Sequence, residues 1–184
     1  MRLVFDIQSL QSASRIRGIG RYTESLIAAI NQLEHSHEVI LMVNGSIGGS
    51  QDLLITELET LLPGVECVVC HLPGPSAANE SRNMIRQAAA ELIREAFITE
   101  LQPDLVHVFS AMEGYEDNVV TSLARLDTDY PVTATFYDLI PLLNPEEYLG
   151  TNHAFKHHYS ERIDNLKRAD GLLAISHFSA GEAA

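Results

Sequence analysis

Apolar and polar positions run in alternating blocks along this chain, and the blocks predict alternating strands and helices. Leu3–Ile7 is a short apolar run, read as a strand. In Arg21–Leu33 the residues Tyr22, Leu26, Ile30 and Leu33 recur at spacings of three and four, which puts them on one stripe of a helix. Glu38–Val43 reads as a second strand, closed by the turn cluster "NGSIGGS" (residues 44–50). Gln51–Leu62 predicts a helix stopped by Pro63-Gly64, and Val65–Cys70 a third strand. After the loop "LPGPSAANE", Glu80–Leu101 carries the clearest helical pattern, with Met84, Ile85, Ala88, Leu92, Ile93, Ala96, Phe97 and Leu101 keeping helical spacing. "QPD" ends it, because the residue before a proline avoids the α region. Leu105–Phe109 reads as a strand, Asn118–Leu126 as a helix, and Val132–Phe136 as a β-branched and aromatic strand. Beyond the loop "YDLIPLLNPEEYLG", His153–Arg168 predicts a helix and Gly171–Ile175 a sixth strand. "SHFSAGEA" then reads as a cap and first helical turn, with Ser176 or Ser179 as N-cap.

The strands are apolar on both faces, as parallel strands covered by helices are. The pattern predicts an α/β fold: a Rossmann-like, open, mostly parallel sheet with helices on both faces. Its 184 residues fit one domain. The chain stops where a helix begins, so a piece of a longer protein is expected.

Composition narrows the function. With 46% hydrophobic and 20% charged residues the chain is globular, and a formal net charge of −13 argues against a nucleic-acid-binding face. It argues equally against broad docking on an anionic membrane. The opening "MRLVFD" meets an acid before a leader core could develop, so a cytoplasmic location is expected. Cys67 and Cys70 form a C-x-x-C, which suggests redox or zinc chemistry. On a strand, however, side chains three apart point to opposite faces, so two small core residues are expected instead.

In a doubly wound sheet, ligands sit outside the carboxyl ends of the strands. Three loops there carry candidate chemistry. The first is "SRIRGIGRYTESLIAAI": Gly18 and Gly20 would let the backbone approach a ligand at a helix N-terminus, with Arg15, Arg17 and Arg21 adding positive charge. It lacks the third glycine of the dinucleotide fingerprint and the G-K-[ST] of a P-loop. The second is "VHVFSAMEGYEDN", where Ser110, Glu113, Tyr115, Glu116 and Asp117 suit a hydroxyl-rich ligand; a solvated acidic cap is the alternative. His107, inside the strand, reads as a core histidine. The third is "TFYDLIPLLNPEEY", where Tyr137 and Asp138 fall at a strand end. Asp138 could bind a hydroxyl, act as an acid/base, or cap the following turn. His153 and His157 share a helix face but lack the Glu of H-E-x-x-H, and no metal site is expected.

Together "GIGRYTESLIAAI", "YDLIPLLNPEEY" and "LKRADGLLAISHFSAGEA" resemble the N-terminal domain of retaining, nucleotide-sugar-dependent glycosyltransferases of the GT-B fold. The resemblance is greatest to the bacterial family-four enzymes, mannosyltransferases and relatives that build O-antigens and other surface polysaccharides. It implies that residues 1–184 form a Rossmann-like, acceptor-side domain, with the donor-binding C-terminal domain absent from this chain. It implies a nucleotide-sugar donor as substrate, a saccharide or lipid-linked acceptor, and no metal or other cofactor. It leaves open peripheral membrane association of the full-length enzyme at the inner face of the cell membrane. On matching positions, Gly18, Gly20 and Arg21 fall on the family's loop near donor phosphates and acceptor, and Ser110 and Glu113 on a cleft-lining loop. Asp138 matches the Asp of a frequent His-Asp pair whose His is here Tyr137, and both are candidate catalytic residues. The fragment alone is expected to be inactive. A stand-alone α/β ligand-binding or interaction domain without catalysis is the alternative. A dehydrogenase or epimerase would need the missing third glycine and an acid after the second strand.

Overall fold

The computed structural model describes residues 1–33, 37–48 and 51–183. Gly49 and Ser50, at the end of the expected "NGSIGGS" turn, lie outside the described residues. The strands are β1 (Arg2–Asp6), β2 (Glu38–Asn44), β3 (Glu66–Cys70), β4 (Leu105–Val108), β5 (Val132–Phe136) and β6 (Gly171–Ala174). They form one sheet in the order β3-β2-β1-β4-β5-β6, and every neighbouring pair is parallel. The order reverses between β1 and β4, which opens a crevice at their carboxyl ends.

The helices are α1 (Gly18–Gln32), α2 (Gln51–Leu61), α3 (Met84–Glu100), α4 (Ile140–Leu143), α5 (Pro145–Tyr148), α6 (His153–Leu166) and α7 (His177–Ala183). Strand side chains alternate between two cores. Val4, Met42, Val106 and Ala134 pack with Ala90 and Ile98 of α3 and Leu166 of α6. Phe5, Leu41 and Val43 pack with Ile27 of α1 and Leu54 and Leu58 of α2. Cys70 belongs to the first core and Cys67 packs against the second, so the C-x-x-C is split by the sheet. Burial pushes both thiols up to about 11, out of the reactive range.

The helix expected over Asn118–Leu126 does not form. That segment is irregular, because its backbone polar groups are taken by distant side chains. Gln8 binds both the Val120 N–H (3.0 Å) and the Val120 carbonyl (2.8 Å). Arg94 donates to the Ser122 carbonyl (3.1 Å), Arg162 to the Thr121 carbonyl, and the Leu126 N–H donates to Glu95 (2.7 Å). A helix would have used the Val120, Thr121 and Ser122 carbonyls and the Leu126 N–H internally.

This explains α3, whose apolar period does not mark its core face. Glu91, Arg94 and Glu95 are buried, whereas Ile85 is 81% exposed and Leu92 and Ile93 are 42% and 45% exposed. The charged side turns inward to hold the 118–126 segment, and much of the apolar side faces out. At the far end, Ser176 rather than Ser179 caps α7, accepting the Ser179 N–H at 3.0 Å.

Candidate functional site at the carboxyl ends of the central strands

Between β1 and α1 the chain makes two short 3-10 turns, Gln8–Gln11 and Ala13–Ile16, and then enters α1 through Arg17 in extended conformation. No side chain caps this helix, and no acid lies in its first turn. Its N-terminal N–H groups are flanked by the exposed Arg17, Gly18 and Arg21. A 15-residue helix with such an entrance favours an anion there. Arg15 does not contribute, because it forms an ion pair with Glu57 of α2. The two glycines differ. A Cβ at Gly18 would meet nothing within 4 Å, whereas one at Gly20 would strike the Arg15 carbonyl oxygen. Gly20 therefore lets the incoming chain cross the first turn of α1.

Facing this entrance across the crevice is the loop after β4. Glu113 Oε1 accepts hydrogen bonds from Ser14 Oγ (2.6 Å) and Ser110 Oγ (3.2 Å). Ser14 lies in the Ala13–Ile16 turn that leads into α1, so Glu113 ties the two loops together. Burial raises the Glu113 pKa, and the neighbouring Asp117 adds to the effect, while the hydroxyl donors oppose it. Asp117 is turned to its own loop, accepting the Val119 N–H at 3.0 Å. Tyr115 hydrogen-bonds Asn152, which itself caps α6 by accepting the Phe155 N–H at 3.0 Å. Glu116 is exposed. The turn needs Gly114, at φ +94°, where a Cβ would lie 2.5 Å from the Val119 carbonyl oxygen.

Tyr137, just beyond β5, stands edge-on to Tyr22 of α1 at a ring separation of 6.0 Å. Its hydroxyl is buried without a hydrogen bond of good geometry, and Thr23 is the polar group beside it. Burial raises its pKa well above the ordinary phenol value. Asp138 is exposed and accepts the Ile140 N–H at 3.1 Å, which closes the turn into α4. The fold thus brings Gly18, Gly20, Arg21, Ser110, Glu113 and Tyr137 to the carboxyl ends of β1, β4 and β5, with Asp138 on the outer side of that group.

Several polar residues near the crevice were not among the site candidates that the sequence offered. Asp6 ends β1 fully buried, accepting from Arg94 Nε at 2.7 Å and from Gln8 Nε2 at 3.0 Å. Asn44, at the end of β2, donates to Gln8 Oε1 (3.0 Å) and to the Asn118 carbonyl (3.2 Å). This network floors the crevice and fixes the loops above it. Only the position of Asp6 and Asn44 at strand ends could have hinted at it. His107 is a core residue, bonded to Thr133 and Thr135 at 2.9 Å each, and burial lowers its pKa to about 4. His153 and His157 are exposed; His158 is buried against Tyr115, with its pKa also lowered to about 4 by burial and by Arg162. Among the described residues no three His, Cys, Asp or Glu side chains gather where they could hold a metal ion. No described helix is long and apolar enough to cross a membrane.

Known proteins resemble this chain along its whole length. The family model described as Glycosyltransferase Family 4 matches residues 16–184. A serotype-specific mannosyltransferase WbdA of Escherichia coli is 33% identical over 184 residues, which is 99% of this chain and 22% of that protein. A second of the same name and organism is 32% identical over 156 residues, 84% of this chain and 19% of that protein. The chain therefore spans about a fifth of the length of these relatives. Among solved structures, Arabidopsis thaliana UGT89C1 complexed with UDP aligns over 95% of this chain and 42% of its own, at 9% identity and a TM-score of 0.45.

Proposed function

Because this chain belongs to Glycosyltransferase Family 4, we propose that it is the acceptor-side domain of a GT-B enzyme. That enzyme is a retaining hexosyltransferase, moving a sugar from a nucleotide-sugar donor to a saccharide or lipid-linked acceptor in surface polysaccharide synthesis. The mannosyltransferase names of the E. coli relatives support mannose as the transferred sugar. The observation that carries the proposal is the uncapped N-terminus of α1, flanked by Arg17 and Arg21 and tied through Ser14 to the half-buried Glu113.

Each part has a chemical task. The α1 N–H groups and Arg21 stabilise the negative charge that grows on the departing nucleoside diphosphate, so no metal is needed for that step. Glu113, held by two serine hydroxyls, accepts hydrogen bonds from sugar hydroxyls. Tyr137 supplies a phenol where relatives place an imidazole, and Asp138 sits beside it as a hydroxyl acceptor. The second domain brings the donor and packs on the β6 end of the sheet. Leu172, Leu173, Ile175 and Phe178 are all exposed there, which is costly without a cover.

The experiment is a transfer assay on the protein that contains this chain together with its donor-binding domain, using GDP-mannose and a mannose-terminated acceptor. Activity should survive EDTA. It should fall at least tenfold in Arg21→Ala and in Glu113→Gln, with the 184-residue chain alone inactive. Full activity in both variants would overturn the site assignment, and no transfer from any nucleotide sugar would overturn the function.

A further inference from the structure

α3 and α6 cover the same face of the sheet, where Ala90 and Ile98 of one and Leu166 of the other enter one core. The buried Glu91–Arg162 ion pair bridges them at 2.7 Å. Towards the N-termini of both helices the facing residues are small. Ala88 of α3, Ala154 of α6 and Ala78 of the preceding loop leave a cavity of about 320 Å³ between the helices. Small-molecule clefts start at roughly 300 Å³, so one small ligand has room there.

The lining defines the chemistry of that ligand. Three carboxylates, Glu80, Glu91 and Glu161, stand against two guanidiniums, Arg125 and Arg162. A phosphate or a nucleotide would meet that excess of acid. A cation gains little, because Glu91 is held by both arginines and Glu80 by Arg82. Hydrogen-bonding capacity remains. The Gln87 side chain, half-buried on the cavity wall, makes no hydrogen bond among the described residues, and its amide both donates and accepts. Arg125 gives one nitrogen to Glu91 and keeps further donors. Glu161 turns one oxygen to His157 (3.4 Å) and has a second to offer. Beside these groups Met84, which is 70% exposed, forms an apolar patch with Ala88 and Ala154. A sugar ring, with hydroxyls around its edge and C–H groups on its faces, satisfies both parts of this lining without bringing charge.

We propose that this cavity is a second saccharide site, which holds an uncharged sugar unit of the acceptor glycan outside the crevice; the source of that sugar rests on the glycosyltransferase reading. The cavity adjoins the loop that carries Glu113. The Ala78 N–H donates to the Gly114 carbonyl (3.0 Å), the Asn79 N–H to the Tyr115 carbonyl (2.9 Å), and the His158 ring lies 5.5 Å from the Tyr115 ring. An acceptor long enough to reach both places is held twice, and its second contact is intramolecular. Long acceptors then bind more tightly than short ones, with the chemical step unchanged.

The test uses the full-length protein that contains this chain and its donor-binding domain, with methyl mannoside and a linear mannose oligosaccharide as probes. In protein carrying methyl-labelled methionine, the Met84 signal, assigned through Met84→Leu, should shift when the oligosaccharide is added without donor. The signal of Met42, fully buried in the core, should stay in place. Gln87→Ala should abolish the Met84 shift. In the transfer assay, Gln87→Ala and Ala154→Trp, which fills the cavity from an exposed position on α6, should raise the oligosaccharide KM roughly tenfold. Both should keep the wild-type kcat and KM for methyl mannoside, which also shows that they fold. A Met84 shift without transfer from any nucleotide sugar would leave the site standing and overturn the enzyme reading. Transfer with a silent Met84 signal, or with an oligosaccharide KM unmoved in both variants, would overturn the site and leave the enzyme reading standing.

Discussion

Arg94 of α3 grips Asp6 of β1 in an ion pair whose two side chains are each only 1% exposed. The pair sits under the crevice between β1 and β4, where it also holds Gln8 and the Ser122 carbonyl. It fixes the end of the first strand, the turn after it and the irregular 118–126 segment in one network. Removing one partner leaves the other charge buried and uncompensated. Asp6→Asn or Arg94→Met should therefore destabilise the domain by roughly 3–5 kcal/mol, read from urea unfolding. A loss below about 1 kcal/mol would mean that the network is not the anchor described here.

Those contacts also explain which parts of the fold are legible in the sequence. The strands, α1 and α2 are visible because their partners are generic: any apolar neighbour satisfies an apolar run. The 118–126 segment depends on Gln8, Arg94, Glu95 and Arg162, and the Gln8 bonds alone span 112 residues. No local pattern announces such partners. The same blindness affects α3, where nothing local shows that Glu91, Arg94 and Glu95 turn inward. At the candidate site, Ser110 and Glu113 are visible as a polar cluster on one loop. Ser14, the shorter of the two bonds to Glu113, lies 99 residues away and is not.

Burial raises the Glu113 pKa above its ordinary 4.5, which has a definite sign for stability. Above pH 4.5 the unfolded chain ionises this carboxyl while the folded domain still holds its proton. The carboxyl thus costs stability as pH rises from 4.5 through its raised folded value, and the cost is then constant. Glu113→Gln keeps an acceptor oxygen for Ser14 and Ser110 but cannot ionise. The variant should match the wild type in stability below pH 4.5 and exceed it at neutral pH, while transfer by the full-length protein drops. Unfolding curves at a series of pH values check this, and a variant less stable at pH 7 than at pH 4 relative to wild type would contradict it.

His158 acts with the opposite sign. Its ring is 3% exposed, makes no hydrogen bond of good geometry, and has its pKa lowered from 6.5 to about 4. Below pH 6.5 the unfolded chain takes up a proton that the folded domain refuses, so stability falls as pH drops from 6.5 towards 4. The loss is on the order of 3 kcal/mol when complete. His107 contributes in the same window, with its pKa also near 4. His158→Leu, which replaces the buried ring beside the Met112 and Glu113 backbone by an apolar side chain, should remove part of the acid sensitivity between pH 6.5 and 4. Ring-proton NMR should place the wild-type His158 midpoint near 4, and a midpoint near 6.5 would show that solvent reaches the ring.

Gly18 and Gly20 share one loop, yet they should respond differently to the same substitution. At Gly18 a methyl group enters open space, and the backbone has no left-handed angle that only glycine tolerates. Gly18→Ala should leave folding unchanged, and any loss of transfer in the full-length protein then reports close approach of a ligand to the α1 N-terminus. At Gly20 the added carbon collides with the Arg15 carbonyl, which cannot move without disturbing the Ala13–Ile16 turn and the Arg15–Glu57 ion pair. Gly20→Ala should cost roughly 1–3 kcal/mol of stability, as overpacking does. Thermal unfolding of the two variants separates the effects. A stable Gly20→Ala with lost activity would assign that glycine to the ligand, whereas an unstable one with activity surviving in the folded fraction assigns it to the crossing of the chain over its own helix.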